Sequence, residues 1–489
     1  MSAGKTVRSE ADDATRGSAI RLLAEVASRL LLYATTVLLA RGLGPWEYGL
    51  YVKLSAYALL LAELGELGLQ VLASRVLVVG SLSLGSLLRA RLVLAGLVAG
   101  VALGAVPALP WLLRRAGADA PAGIGLLLSL LIAWLALSGW GEFLGVALRC
   151  RGARSREALL LLALRALALP LAALPLALGA GLRGVALGLA LSPLPALALG
   201  AWWIARTREL TAGPAAGPAA VLRQSAPLAV YAALLLLSPR IELFILSFLR
   251  DDRELGLFGA GLSVVWFLAA VPGAITAGAM PALAREALRG DDAVRRRTSA
   301  TLALLAAPAA VGLALVAPHV AALLFGSGLP AADYGGTATP LRIMATAVPA
   351  LFLNALVAAS LNAAGHAGWL PRLILARVAI AFTLAAALVP RFGGVGAAIG
   401  LVCAEWALLA AGARACERVG FRIPVTTPLA CGLVACVPMA LAVNGVAASL
   451  PLALAVGGLT WAATLAAGVR LAPGLARRLS GDLRYPWAP

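Results

Sequence analysis

Runs of about twenty apolar residues recur from one end of this sequence to the other, and no other feature constrains its fold as tightly. The hydrocarbon core of a bilayer is roughly 30 Å thick, which a helix crosses in about 20 mostly apolar residues. Runs of that kind lie near 18–40, 50–79, 87–113, 122–148, 158–178, 184–205, 224–249, 255–282, 298–325, 338–362, 370–389, 393–413, 427–448 and 451–471. Hydrophobic residues make up 62% of the 489 and charged residues only 13%, against about half and a quarter in soluble domains. That excess needs lipid as part of its solvent. Lipid in turn demands that every backbone polar group be satisfied within its own segment, which helices do. The expected class is all-α: a polytopic membrane protein of about fourteen transmembrane helices.

The charge is strongly basic, formally +18, but its placement argues against nucleic acid. Arginines cluster between apolar runs, as at Arg149, Arg151, Arg154 and Arg156, or at Arg295, Arg296 and Arg297. If the N-terminus is cytoplasmic, alternate loops hold basic residues in roughly threefold excess over the others, the bias of loops on the cytoplasmic side. Both termini are then expected inside, with residues 1–17 and 472–489 as cytoplasmic tails. Residues 1–17 show no short apolar core with a small-residue cleavage site, so no signal peptide is expected there.

Two echoes point to duplication. Glu47-Tyr48-Gly49-Leu50-Tyr51 is answered by Glu254-Leu255-Gly256-Leu257-Phe258, about 207 positions on. Gly184-Val185-Ala186-Leu187-Gly188-Leu189 is answered by Gly396-Ala397-Ala398-Ile399-Gly400-Leu401, at about 212. Each pair is six spans apart, and six is even, so both halves enter the membrane in the same direction as parallel repeats. The expected domains are pseudo-symmetric six-helix lobes at 18–205 and 224–413, a linker at 206–223, and two C-terminal helices over 427–471.

Ionisable residues inside spans are costly and point to cavities or ion paths. Arg21, Glu25, Arg29 and Tyr33 follow each other at i, i+4, along one face of the first span. They either line a wet cavity or fasten helices through neutralised pairs. Glu63 and Glu66 stand i, i+3 in the second span, as candidates for ion or proton coupling or as partners of Arg29 or Arg75. Glu142 and Arg165 lie in the fourth and fifth spans, the former a third coupling candidate and the latter a cavity candidate. Arg240 and Glu242, after Ser238-Pro239 in the seventh, place a guanidinium in the second half; its planar fork of donors suits phosphate. Arg377 and Glu405 read as a structural pair.

Other chemistries lack their signatures. Gly394-Val395-Gly396 opens a membrane helix with no βαβ unit before it, and there is no Walker loop, nucleophile elbow or zinc pattern. Five cysteines form no CxxC pair, and the two histidines, His319 and His366, offer no metal cluster. No cofactor and no metal are expected. A membrane glycosyltransferase or ligase is disfavoured because the longest loops on the outer side, near 113–122 and 325–338, are short and poor in paired acids.

The sequence resembles the polysaccharide and O-antigen flippases of the multidrug, oligosaccharidyl-lipid and polysaccharide exporter superfamily. The resemblance rests on Leu39-Ala40-Arg41-Gly42-Leu43-Gly44-Pro45-Trp46-Glu47-Tyr48-Gly49-Leu50-Tyr51, on Leu64-Gly65-Glu66-Leu67-Gly68-Leu69, and on Arg240-Ile241-Glu242. Glu254 to Phe258, Met280 to Arg285, Leu323 to Gly326, Asn362 to His366 and Phe392 to Ala398 continue it over roughly 18–410. The resemblance implies a two-lobed bundle around a central cationic cavity, not an enzyme. It implies transport of undecaprenyl-pyrophosphate-linked saccharide from the inner to the outer leaflet of a bacterial inner membrane, with H+ or Na+ as a possible coupling ion. Arg21, Glu25, Arg29, Arg165, Arg240 and Glu242 would meet the substrate; Glu63, Glu66 and Glu142 would couple the ion. Glu242 stands where many relatives have Asp. A cation-coupled drug antiporter on the same scaffold is the competing reading, and it would be expected to have a more acidic cavity.

Overall fold

The computed structural model describes the backbone of residues 3–115, 123–206, 214–326, 333–445 and 450–471, with side chains from Ala24 onward over most of them. Among the described residues every regular element is a helix. Nine helical stretches are long and apolar enough to cross a bilayer, and a further pair bent by 47° joins them.

Several helices exceed one crossing and fold back at glycines. Helix α1 (Ala3–Leu64) would be about 90 Å long if straight, three times a bilayer core; it breaks at Gly44 (φ 72°, ψ 169°), before Pro45. The same holds for α16 (Trp369–Arg418), broken at Gly393 (φ 54°, ψ −133°). There the reversal is visible in contacts: a Cβ on Gly400 would lie 3.3 Å from the backbone of Ala385, and one on Gly396 2.6 Å from that of Leu388. Residues 15 apart in a straight helix would be over 20 Å apart. Each long helix is therefore two passes.

Other spans are single crossings assembled from two pieces. The second ends in α2 (Leu69–Val79) after a break at Leu67 (φ 38°) and Gly68 (φ 71°). After α3 (Leu84–Arg115) and α4 (Ile124–Cys150), the fifth span is α5 (Arg154–Ala166) plus α6 (Ala168–Ala177). The sixth is α7 (Gly181–Leu191) plus α8 (Leu194–Arg206). The seventh is α9 (Pro218–Leu237), a 3-10 turn Ser238–Arg240 and α10 (Ile241–Leu249); the eighth is α11 (Asp252–Leu268) plus α12 (Ala270–Arg289). Then come α13 (Ala293–Phe325), the bent α14 (Ala338–Ala345) and α15 (Val348–Ala363), α16, α17 (Thr426–Gly445) and α18 (Leu450–Leu471). The helices occupy all fourteen segments that the hydropathy marks. What hydropathy does not mark is the breaks. Pro170, Pro193, Pro195, Pro239 and Pro272 lie at or within a few residues of them, since proline removes a helical donor and sits best in a first turn.

The chain divides into two compact units, Met1–Leu237 and Ser238–Pro489. The division falls at the Pro239 break: α9 packs on α2 and α3 of the first unit, and α10 packs on α16 of the second. The first is centred on a buried cluster that includes Leu69, Leu87, Phe143, Leu160 and Val221. In the second, α13, α17 and α18 share a smaller cluster around Cys436 and Met439. Large apolar side chains point outward, Phe248 at 75% exposure and Leu459 at 72%, as lipid-facing surfaces require.

The duplication has a structural counterpart. In the first unit Gly184 and Gly188 of α7 press on Pro175 and on the Leu171 carbonyl of α6. In the second, Gly396 and Gly400 press on residues 388 and 385. The turn before each glycine pair carries a left-handed glycine, Gly181 (φ 57°) and Gly393 (φ 54°). The echoing glutamates meet these turns: Glu47 Oε2 would lie 3.9 Å from a Cβ on Gly181, and Glu254 Oε1 accepts the Gly394 amide at 2.7 Å. Both echoes thus describe one substructure, made twice.

Candidate functional site

Within the first unit a cavity of about 500 Å³ opens among α1, α2, α4 and α5. Its walls bring together Glu25, Ser28 and Arg29 from α1, Gln70 and Ser74 from α2, Glu142 and Arg149 from α4, and Glu157 and Arg165 from α5. Helical periodicity explains the convergence. Glu142 and Arg149 are seven apart on α4, and Glu157 and Arg165 eight apart on α5, so each pair shares a face. The short turn at 151–153 sets these faces against one another.

Three ion pairs line the cavity. Arg29 Nη2 donates to Glu25 Oε1 at 2.8 Å along α1. Arg165 Nη2 donates to Glu142 Oε1 at 2.6 Å, from α5 to α4. Arg149 Nη1 donates to Glu157 Oε1 at 3.1 Å near the connecting turn. Exposure falls across the set: Arg29 and Glu25 are 45% and 50% exposed, Arg165 and Glu142 26% and 34%, while Glu157 is at 2%. Among the described residues three arginines face three glutamates, and their charges balance.

The remaining residues singled out from sequence lie elsewhere. Arg21 belongs to α1, but its side chain falls outside the described residues. Glu63 ends α1 at the break, and Glu66 sits in the turn that follows. Glu66 finds neither Arg29 nor Arg75; it accepts from Arg91 of α3 at 3.0 Å. Arg91, near the start of the 87–113 run, is 3% exposed, with its guanidinium carbon 5.1 Å from the Trp140 ring centre and 4.8 Å from that of Phe143. Gly139 leaves room for it, since a Cβ there would lie 3.2 Å from Arg91 Nη2. The aromatic faces replace the water that a loop arginine would keep.

In the second unit, Arg240 ends the 3-10 turn and Glu242 opens α10. Glu242 is fully buried, with its Oε1 3.0 Å from Arg377 Nη2. Arg377 also donates to Glu405 Oε1 at 3.0 Å and to the Ser238 carbonyl at the break beside Pro239. Asn354 Nδ2 donates to Glu405 Oε2 at 3.0 Å. Arg377 and Glu405 pair as the sequence reading expects; that Glu242 joins them was not expected.

Reading the sequence overlooked Arg149 and Glu157 as cavity residues, because both fall in what reads as a charged connecting loop. The signal was present: Arg149 lies on the face of Glu142, and Glu157 on that of Arg165.

No protein-family model matches the chain, and no curated protein matches it in sequence. Solved structures do. The lipid II flippase MurJ superposes with a TM-score of 0.73 at 12% identity, covering 93% of this chain and all of that one. A multidrug resistance MATE family transporter of the MOP superfamily gives 0.61 at 17% identity, over 82% of this chain and 97% of the other. A MOP superfamily transporter from Pyrococcus furiosus gives 0.54 at 18% identity, over 83% and 95%. The chain has the fold of these transporters, all-α and polytopic.

Proposed function

We propose that a membrane protein of this fold, with these arginines, translocates undecaprenyl-pyrophosphate-linked oligosaccharide from the inner to the outer leaflet of a bacterial inner membrane by alternating access. The observation that carries the reading is the cavity of the first unit, where Arg29 and Arg165 present planar donor forks to a water-accessible space between membrane helices. Guanidinium groups bind phosphate oxygens in pairs, and low-dielectric walls strengthen that attraction. A volume of about 500 Å³ is of the size that holds a small ligand; it accommodates a diphosphate with its first sugar, not a whole oligosaccharide and its lipid. The excess of basic residues in alternate loops supports cytoplasmic termini, and proton or sodium coupling is assigned to Glu63, Glu66 and Glu142. From their types and their places in apolar spans, Arg21 and Arg240 are proposed as further residues for the substrate, and Glu242 sets the segment that carries Arg240.

The test is flipping in proteoliposomes. Undecaprenyl-pyrophosphate-linked saccharide bearing a fluorophore is exposed to a membrane-impermeant quencher, which reads leaflet transfer. Wild-type protein should transfer label, and Arg29→Ala with Arg165→Ala should reduce the rate at least tenfold at equal reconstitution. Equal rates would defeat the reading.

The second reading, a cation-coupled drug antiporter, draws support from Glu25, Glu142 and Glu157 in the same wall. Resistance profiling of an expressing strain against an empty control separates the two. Raised resistance to cationic compounds without lipid-linked saccharide transfer would favour the antiporter.

A further inference from the structure

Each of the cavity's arginines already gives an N–H to a carboxylate, whose charge offsets its own. Arg29 is bonded to Glu25 at 2.8 Å and Arg165 to Glu142 at 2.6 Å, and all four groups are between 26% and 50% exposed. An incoming anion can use the remaining N–H donors, but it gains a full charge pairing only by displacing the resident carboxylate. Exposed ion pairs of this kind are worth only a few tenths to about 1 kcal/mol each, so exchange is feasible. It is still costly enough to matter for a weak ligand. Arg149 differs, because its partner Glu157 is 2% exposed and cannot be released into water.

We propose that Glu25 and Glu142 are specificity-determining residues: they act as resident competitors, so that only an anion able to engage two arginines at once displaces them. This rests on the function proposed above and deepens it, naming the ligand class as diphosphate diesters in preference to monoanionic phosphodiesters. A singly charged phosphodiester replaces one carboxylate at one arginine, with no net gain in charge pairing. A diphosphate carries a charge on each phosphorus and exchanges at Arg29 and Arg165 together, so a single loss of translational freedom serves two pairings. Most phospholipid headgroups and nucleotide monoesters near the membrane would be rejected on this basis. Arg149 keeps its glutamate throughout and acts as a fixed positive wall near the connecting turn. Exchange also releases two carboxylates into the cavity, where the Gln70 amide of α2 stands in the same wall and can donate hydrogen bonds to them.

The reading makes a prediction of unusual sign. Neutralising an acidic residue in a site that stays occupied by arginine should tighten anion binding and loosen selectivity. Removal of a merely structural partner would weaken it.

The experiment measures affinity of the full-length protein in lipid nanodiscs for inorganic pyrophosphate and for dimethyl phosphate, a monoanion, by calorimetry. Wild type should bind pyrophosphate and show no measurable dimethyl phosphate binding. Glu25→Gln with Glu142→Gln keeps the hydrogen-bonding shape without the charge; it should bind pyrophosphate about tenfold more tightly and bring dimethyl phosphate into the measurable range. Glu142→Asp, which restores the competitor, should return both toward wild type. Unchanged or weaker pyrophosphate binding in the Gln variant, or none in either protein, overturns the proposal, as does a gain that Glu142→Asp does not reverse. The two readings fail separately. Flipping that depends on Arg29 and Arg165, with no tightening in the Gln variant, removes the competitor role and leaves the transport function. Tightening without flipping does the reverse.

Discussion

Two constellations of arginine and glutamate, one in each unit, differ chiefly in access to water. In the first unit, Arg29–Glu25 and Arg165–Glu142 are partly exposed and line a cavity. In the second, Arg377 lies between Glu242 and Glu405 with exposures of 1%, 0% and 5%. The same chemical groups at nearly the same separations are thus put to opposite uses. A partly hydrated pair costs little to open and can exchange for a ligand. A sealed one cannot exchange without leaving a charge in low dielectric, so it holds a fold together. Here it holds the broken seventh span, because Arg377 also donates to the Ser238 carbonyl beside Pro239.

Substitutions in either constellation should separate the two roles. The largest effect is expected from Arg377→Ala, which strands two buried carboxylates: about 3–5 kcal/mol of stability, read as a lowered midpoint of thermal unfolding in detergent. A loss no greater than that of Arg165→Ala would erase the distinction between the constellations. Next comes Gly400→Leu, a change outside both clusters. With only 3.3 Å from its Cβ position to the Ala385 backbone, the hairpin must splay, at about 1–3 kcal/mol. The same midpoint measures it, and an unchanged value would mean that the two passes of α16 are not packed as described. Arg165→Ala and Arg29→Ala should cost the least in stability, within about 1 kcal/mol each, while lowering transfer in the flipping assay. A large stability loss for either would move them to the structural side of the comparison.

How much of this was legible in the sequence depends on range. The spans were legible, because twenty apolar residues are a local signal and lipid enforces them. So were the duplicated glycines: Gly396 and Gly400 touch helix backbone, where any side chain would intrude, and that need leaves a mark in sequence. The cavity was legible in part. Glu25 and Arg29 announce each other at i, i+4, and Glu142 and Arg165 stand out as charges within apolar runs. Arg91 was not legible as an interior group. Its partner Glu66 is 25 residues away and meets it only because the second span breaks at Leu67 and Gly68, and its aromatic neighbours come from α4. Arg149 and Glu157 were hidden for a different reason, since charges at the end of a run look like loop charges until the turn at 151–153 folds them inward. The expected cationic character was also incomplete. Counting arginines within spans gives the donors but not their partners, which come from other helices.

The most direct measurement is a structure of the protein in nanodiscs with undecaprenyl-pyrophosphate-linked saccharide bound. The account predicts diphosphate density against both Arg29 and Arg165, with Glu25 and Glu142 turned away from them and Arg149–Glu157 intact. Diphosphate bound elsewhere, with the Arg29–Glu25 and Arg165–Glu142 pairs still closed, would contradict it.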